Sequence, residues 1–186
     1  MTALVPPDAR WYPGWARTVA EMRAEGEHVH ASGWWVLGRP MEPTEEYFAE
    51  LLAALPEAAE GDPAAGVVPS DYYWITAGDG GADDEVVGFL NLRHELNESL
   101  LEEGGHIGYS VRRSARRQGH ATRALALALA RCAELGIDRA LVTCDEDNEG
   151  SRRTIERCGG VLEDVRGTKL RYWIDVLTQT GSTRPA

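Results

Sequence analysis

Apolar positions follow two rhythms along the chain, and the change between them comes near residue 70. Before it, Trp15, Val19 and Met22 recur at helical spacing and predict a helix over residues 13–25. A second helix is predicted over residues 43–55. Thr44 suits its N-cap, and Glu45 and Glu46 sit in its first turn, where acids complement the helix dipole. Residues 28–40, with Trp34 and Trp35, read as a loop or short strand, and residues 56–69, rich in Pro, Gly and Ala, read as a loop. From residue 71 the period shortens. Residues 72–77 and 85–92 read as strands joined by the turn cluster Gly78-Asp-Gly-Gly-Ala-Asp-Asp84, which predicts a hairpin. Residues 94–105 read as a loop or short helix, and residues 106–111 as a third strand. Residues 119–135 form a helix pattern with Ala121, Leu125, Leu129 and Cys132 on one face, ended by Gly136. A strand at 140–144, a short helix at 148–158 stopped by Gly159-Gly160, and closing strands at 161–162 and 169–176 complete the pattern. This order predicts a mixed α/β fold with helices on both faces of the sheet. Strands 106–111 and 140–144 are expected to form a right-handed parallel crossover around helix 119–135.

The length of 186 residues suits one domain over residues 1–176, with residues 177–186 expected to form a disordered tail. No segment has the length or apolarity of a signal peptide or membrane span, so a cytoplasmic protein without a membrane partner is expected. Cys132, Cys144 and Cys158 lack the spacing of a disulfide framework or a metal site; buried thiols and no bound metal are expected. The net charge of −11 argues against a nucleic-acid partner. That acidity is uneven. Residues 104–133 contain no Asp or Glu but hold Arg112, Arg113, Arg116, Arg117, Arg123 and Arg131. Positive charge therefore gathers where a strand turns into a helix, and a helix start presents unpaired N–H groups and the positive end of the peptide dipoles. Together they suit a phosphorylated ligand.

The turn itself reads Arg116-Arg-Gln-Gly-His-Ala121, of the form [Q/R]-x-x-G-x-[G/A]. Neither a P-loop nor a dinucleotide fingerprint fits, because no Gly-Lys-Ser/Thr follows and no Gly-x-Gly-x-x-Gly is present there. The ordered series is more specific than the loop alone. A strand leads into Arg116-x-x-Gly119-x-Ala121, then a helix ending in Leu-Gly, the strand Ala-Leu-Val-Thr-Cys, Asn148-Glu-Gly-Ser151, and Gly159-Gly160. In this series the chain resembles the GNAT N-acetyltransferase superfamily over residues 70–176. The stretch from Arg93-His-Glu-Leu-Asn97 to Gly104-Gly-His-Ile-Gly-Tyr-Ser-Val-Arg-Arg-Ser resembles one bacterial branch of it, whose acceptor is not assigned.

The resemblance implies a GNAT fold that uses acetyl-CoA as co-substrate and passes its acetyl group to an amine of a small molecule or peptide. It implies that residues 71–176 hold the cofactor and residues 1–70 build the acceptor side. The implied cofactor contacts are Val111 on the strand, then Arg116, Arg117, Gln118, Gly119, His120, Ala121 and Thr122 in the loop and helix start, with Asn148 and Ser151 beyond. The pantetheine arm would enter between two splayed strands, and an N–H near Val111 would face the thioester oxygen. Asn148 can equally cap helix 148–158. Many members carry a tyrosine seven residues after the asparagine as general acid; here Ile155 stands there. Tyr109, Ser110 or water remain for that role. For the base, His106 is the candidate, with an ordinary pKa suited to neutral pH; its alternative is a strand-start histidine bonded to backbone, and a water relay is a third reading. Trp11, Trp15, Trp34 and Trp35 could wall an amine pocket or serve the core. A homodimer is compatible with the family. A non-catalytic acyl-CoA sensor of the same fold is the competing function.

Overall fold

The computed structural model describes residues 1–176; the expected tail lies outside the described residues. Two antiparallel sheets carry the fold. The first orders as β1 (Thr2–Val5), β2 (Ser70–Ala77), β3 (Glu85–Arg93) and β4 (Ile107–Val111). The second orders as β5 (Arg139–Asp145), β7 (Lys169–Asp175) and β6 (Val161–Arg166). The helices are α1 (Tyr12–Ala24), α2 (Glu45–Glu60), α3 (Glu98–Glu102), α4 (His120–Glu134) and α5 (Glu149–Arg157). The fold is mixed α/β, as the pattern predicts.

Alternation along β3 and β4 divides the core in two. Leu90, Leu92, Ile107 and Val111 face α4 and α5, joining Leu125, Leu129, Cys132 and Ile155. Trp74 and Phe89 face the other way and meet Trp15, Val19, Met22, Phe48 and Leu51 of α1 and α2. Trp11 and Trp15 are thus core residues, whereas Trp34 and Trp35 are 46% and 42% exposed. Cys132, Cys144 and Cys158 are buried, and burial pushes the Cys132 thiol up to about 12.

Two elements differ from the sequence expectation. The N-terminal residues form β1, which pairs with β2 from Thr2–Ala77 to Val5–Trp74; four residues are too few to show a period. The second helix runs through Pro56 to Glu60, because Glu57-Ala-Ala-Glu60 favours helix strongly enough to absorb one missing N–H near an end. Segment 28–40 is a loop, one of the two readings its sequence allows.

The junction of the two sheets is the largest difference. The parallel pairing expected between residues 106–111 and 140–144 is not formed; every strand pairing described is antiparallel. β4 and β5 touch through one antiparallel bridge, Gly105–Val142, and then part. Around it the His106 N–H donates to the Leu141 carbonyl (2.7 Å), and the Gly104 N–H donates to Thr143 Oγ1 (3.0 Å). Gly105 has φ +64, and a Cβ there would lie 2.4 Å from the Leu141 oxygen. Gly105→Ala therefore combines a left-handed alanine with a backbone clash. It should cost more than the ~1–2 kcal/mol of the conformation alone, read by denaturant unfolding.

Candidate active site

β4 is the last strand of its sheet, so beyond the Gly105–Val142 bridge its backbone edge toward β5 has no strand partner. This gap is the splay that the sequence resemblance implies. Val111 ends β4 at its mouth, followed by a single 3-10 turn, Arg113–Ala115, and the loop into α4.

The loop is held from outside by α1 and the segment after it. Glu21 accepts from the Ser114 N–H (2.7 Å) and hydroxyl (2.8 Å) and pairs with Arg112 (2.7 Å). Burial acts to raise the Glu21 pKa, but these donors outweigh it and hold the carboxyl below its ordinary value. Arg113 pairs with Glu25 (2.9 Å) and Arg116 with Glu27, while Arg116 Nε donates to the Val111 carbonyl (2.9 Å). Arg131, farther along α4, is tied to Asp71 and Glu134. Four of the six arginines that the sequence gathers here are thus spent on holding the fold. Arg117 and Arg123 are exposed and have no carboxylate partner among the described residues. The sequence treats Arg116 and Arg117 alike; the structure separates a loop brace from an open cation. It also brings in Arg123, one turn into α4, which the motif does not contain.

Arg117 and Gly119 both take left-handed backbone, at φ 62 and 86. Gly119 is the N-cap of α4 and no side chain caps that helix. The first-turn N–H groups of His120, Ala121 and Thr122 therefore remain available as donors. A Cβ on Gly119 would meet nothing within 4 Å. The residue is needed for its φ, and open space lies in front of it. Gln118 donates to the Ser114 carbonyl (3.3 Å), and the His120 ring is bonded to Thr2 Oγ1 (2.8 Å). A cavity of about 910 Å³ opens beside it, lined by Thr2, Leu4, Tyr73, Gly119, Arg123 and Arg131 among others. The arrangement fits a phosphate group: unpaired amides at a helix start, two open guanidinium groups, and room for approach.

Across the gap, Asn148 caps α5 by accepting from the Ser151 N–H (3.0 Å). Tyr109 reaches over from β4, with its hydroxyl 2.9 Å from Ser151 Oγ. Burial pushes the Tyr109 phenol well above its ordinary value, so it stays protonated. Tyr109, distant in sequence from Asn148 and Ser151, thus meets the first turn of α5. Ile155 is fully buried in the core and offers no proton.

His106 does not fit the base role. It is buried, its Nδ1 accepts from the Leu141 N–H (2.9 Å), and its ring lies edge-on to Trp173. Burial, then the neighbouring Arg93 charge, lowers its pKa to about 4. The lone pair that a base needs is occupied, so His106 is a clip between the sheets. On the opposite face of β4, Ser110 Oγ donates to the His30 carbonyl (2.7 Å), drawing segment 28–36 over the strand. His30 is exposed; partial desolvation, then the nearby His28, holds its pKa below the ordinary value, and its ring nitrogens make no hydrogen bond among the described residues. Among the described residues no cluster of His, Cys, Asp or Glu could hold a metal ion, and no helix is long and apolar enough to cross a membrane.

The model of the acetyltransferase (GNAT) domain family matches residues 10–161. No curated protein matches the sequence. Among solved structures, the fold is similar to RimJ of Mycobacterium smegmatis in complex with CoA-disulfide, at 21% identity and a TM-score of 0.62 over 95% of this chain and 83% of that one. It is similar to the ribosomal L7/L12 α-N-protein acetyltransferase RimL in complex with coenzyme A, at 18% identity and a TM-score of 0.61 over 94% and 93%. It is also similar to the microcin C7 self-immunity acetyltransferase MccE bound to acetyl-CoA and AMP, at 13% identity and a TM-score of 0.59 over 94% and 92%.

The His106 clip has a pH consequence. Its folded pKa lies below the unfolded value near 6.5, so the unfolded chain binds more protons between about 4 and 6.5. Its contribution is full above pH 6.5 and declines as pH falls toward 4. The loss should reach a few kcal/mol, since each tenfold difference in proton affinity between the folded and unfolded chain is worth ~1.4 kcal/mol. Denaturant unfolding across this range should show a steeper decline in the wild type than in His106→Asn.

Proposed function

The chain belongs to the GNAT acetyltransferase family, and from that premise we propose that it transfers an acetyl group from acetyl-CoA to an amine, by direct attack with both substrates bound. The observation that carries this reading is the uncapped start of α4, open in front of Gly119 and flanked by Arg117 and Arg123. Backbone amides there would hold the diphosphate, with the two arginines adding charge-assisted bonds. Gly119 permits the close approach that a side chain would obstruct. The free edge of β4 would pair with the pantetheine arm, and its N–H near Val111 would stabilise negative charge developing on the thioester oxygen. Residues 71–176 would form the cofactor half of one domain, and α1, α2 and the segment between them its acceptor half. A cytoplasmic setting suits this chemistry.

Tyr109, kept protonated by burial and joined to Ser151, would give its proton to the departing thiolate. It thereby fills the role that Ile155 leaves vacant. Asn148 would orient the first turn of α5 beside it. On the acceptor side, the neutral imidazole of His30 replaces His106 as the residue able to take the proton from the incoming amine.

The experiment follows thiol release from acetyl-CoA against a panel of amines, alongside calorimetric acetyl-CoA binding. The wild type should bind and turn over. Gly119→Glu should lose binding, since it sets bulk and negative charge against the phosphates. Tyr109→Phe should bind within a few-fold of wild type while kcat falls roughly 10²-fold. Binding without release on every amine would instead favour a sensor of acyl-CoA, and wild-type affinity in Gly119→Glu would remove the loop assignment.

A further inference from the structure

Arg93 is a half-buried cation that no acidic side chain among the described residues neutralises. It is the last residue of β3, on the face toward α1, α2 and segment 28–36. Its Nη1 donates to the carbonyls of Gly105 (3.0 Å) and Gly104 (3.3 Å), and no carboxylate pairs with it among the described residues. Partial burial lowers its pKa. The other well-covered arginines are treated differently. Arg171, with 3% of its side chain exposed, is held by Glu163 and Asp164. Arg112, at 14%, is held by Glu21 and Glu85. Covering a guanidinium without supplying a counter-charge is unfavourable, so a bare one points to a ligand that supplies it.

The surroundings of Arg93 support this. Its terminal nitrogens lie over Gly108 of β4. A Cβ there would sit 3.7 Å from Nη1, 3.9 Å from Nη2 and 3.7 Å from the Ala31 side chain. Glycine at this position leaves the guanidinium uncovered on the strand that also carries Tyr109 and Ser110. Ala31 is held at φ 63, a left-handed conformation that an alanine side chain disfavours. The strained residue directly follows His30, whose carbonyl Ser110 holds, and packs against the core of α1 and α2. Strain of this kind gathers at ligand clamps. A bare cation, a missing side chain and a strained backbone thus coincide on the acceptor face, across β4 from the Tyr109–Ser151 pair.

We propose that Arg93 is the anion subsite of the acceptor pocket, and that the acceptor is an amine bearing a carboxylate. The planar guanidinium spends Nη1 on the two carbonyls and leaves its Nη2 side for a carboxylate lying over Gly108. The acceptor's amine is then directed along β4 toward the thioester. This proposal rests on the amine-acetylation reading of the same cleft, and its test reads binding as well as turnover.

The probes are amino acids and Asp- or Glu-containing dipeptides, each matched with its carboxamide. Binding to the CoA-loaded protein is followed by ligand-observed NMR, and acetylation by thiol release. The wild type should favour the carboxylate member of a pair roughly ten- to a hundredfold, the scale of a charge-assisted bond pair. Arg93→Met should abolish that preference, and Arg93→Lys should weaken it chiefly in KM, with CoA affinity and melting temperature near wild type in both. If Arg93→Met fails to fold, the Arg93→Lys and wild-type comparisons still decide. No carboxylate bound in preference to its carboxamide overturns the proposal, whether or not acetyl transfer occurs. Carboxylate binding without transfer upholds the subsite and removes the catalytic reading instead.

Discussion

Everything in the candidate site depends on two strands that meet once and then separate. Continuous pairing of β4 with β5 would close the sheet and leave no place for an extended ligand. The Gly104-Gly105-His106 segment prevents that by bonding to Leu141 and Thr143 and then turning β4 away. The residue that makes this joint cannot carry a side chain, because its Cβ would fall on the Leu141 oxygen. His106 then secures it with an imidazole kept neutral by burial and by Arg93. The gap downstream is therefore built in by backbone geometry.

The second constraint is charge. Backbone amides at the start of α4 attract anions, and the acids of this acidic chain would compete for any arginine placed near them. The fold resolves the competition by position. Glu21, Glu25 and Glu27 engage Arg112, Arg113 and Arg116, which fixes the path of the loop. Arg117 and Arg123 lie beyond the reach of those acids and keep their charge for a ligand. Neutralised arginines give shape, and on the proposed reading the two left open would give affinity. The same contrast separates Arg171 from Arg93 in the interior.

Local signals made most of the elements legible in the sequence. Helical spacing placed α1 and α4, Thr44 and Asn148 did cap their helices, and the Gly-Asp cluster did mark the β2–β3 turn. What escaped was non-local. β1 exists through its pairing with β2, and four residues in isolation carry no such information. The His106 assignment failed because a histidine's chemistry depends on what its nitrogens touch, here a backbone amide thirty-five residues away. Arg93 was visible only as part of a family-like stretch; that it lacks a carboxylate is a property of packing. Tyr109 was legible as a candidate, but its meeting with Ser151 required β4 and α5 to be set side by side.

The central claim is that amides at the start of α4 and along the free edge of β4 hold acetyl-CoA. Titrating isotope-labelled protein with acetyl-CoA while following each backbone N–H by NMR tests it most directly. The account predicts the largest shifts at Gly119, His120, Ala121 and Thr122, with a second group at Tyr109 and Val111. Saturation with acetyl-CoA that leaves those amides unmoved, while another surface responds, would contradict it.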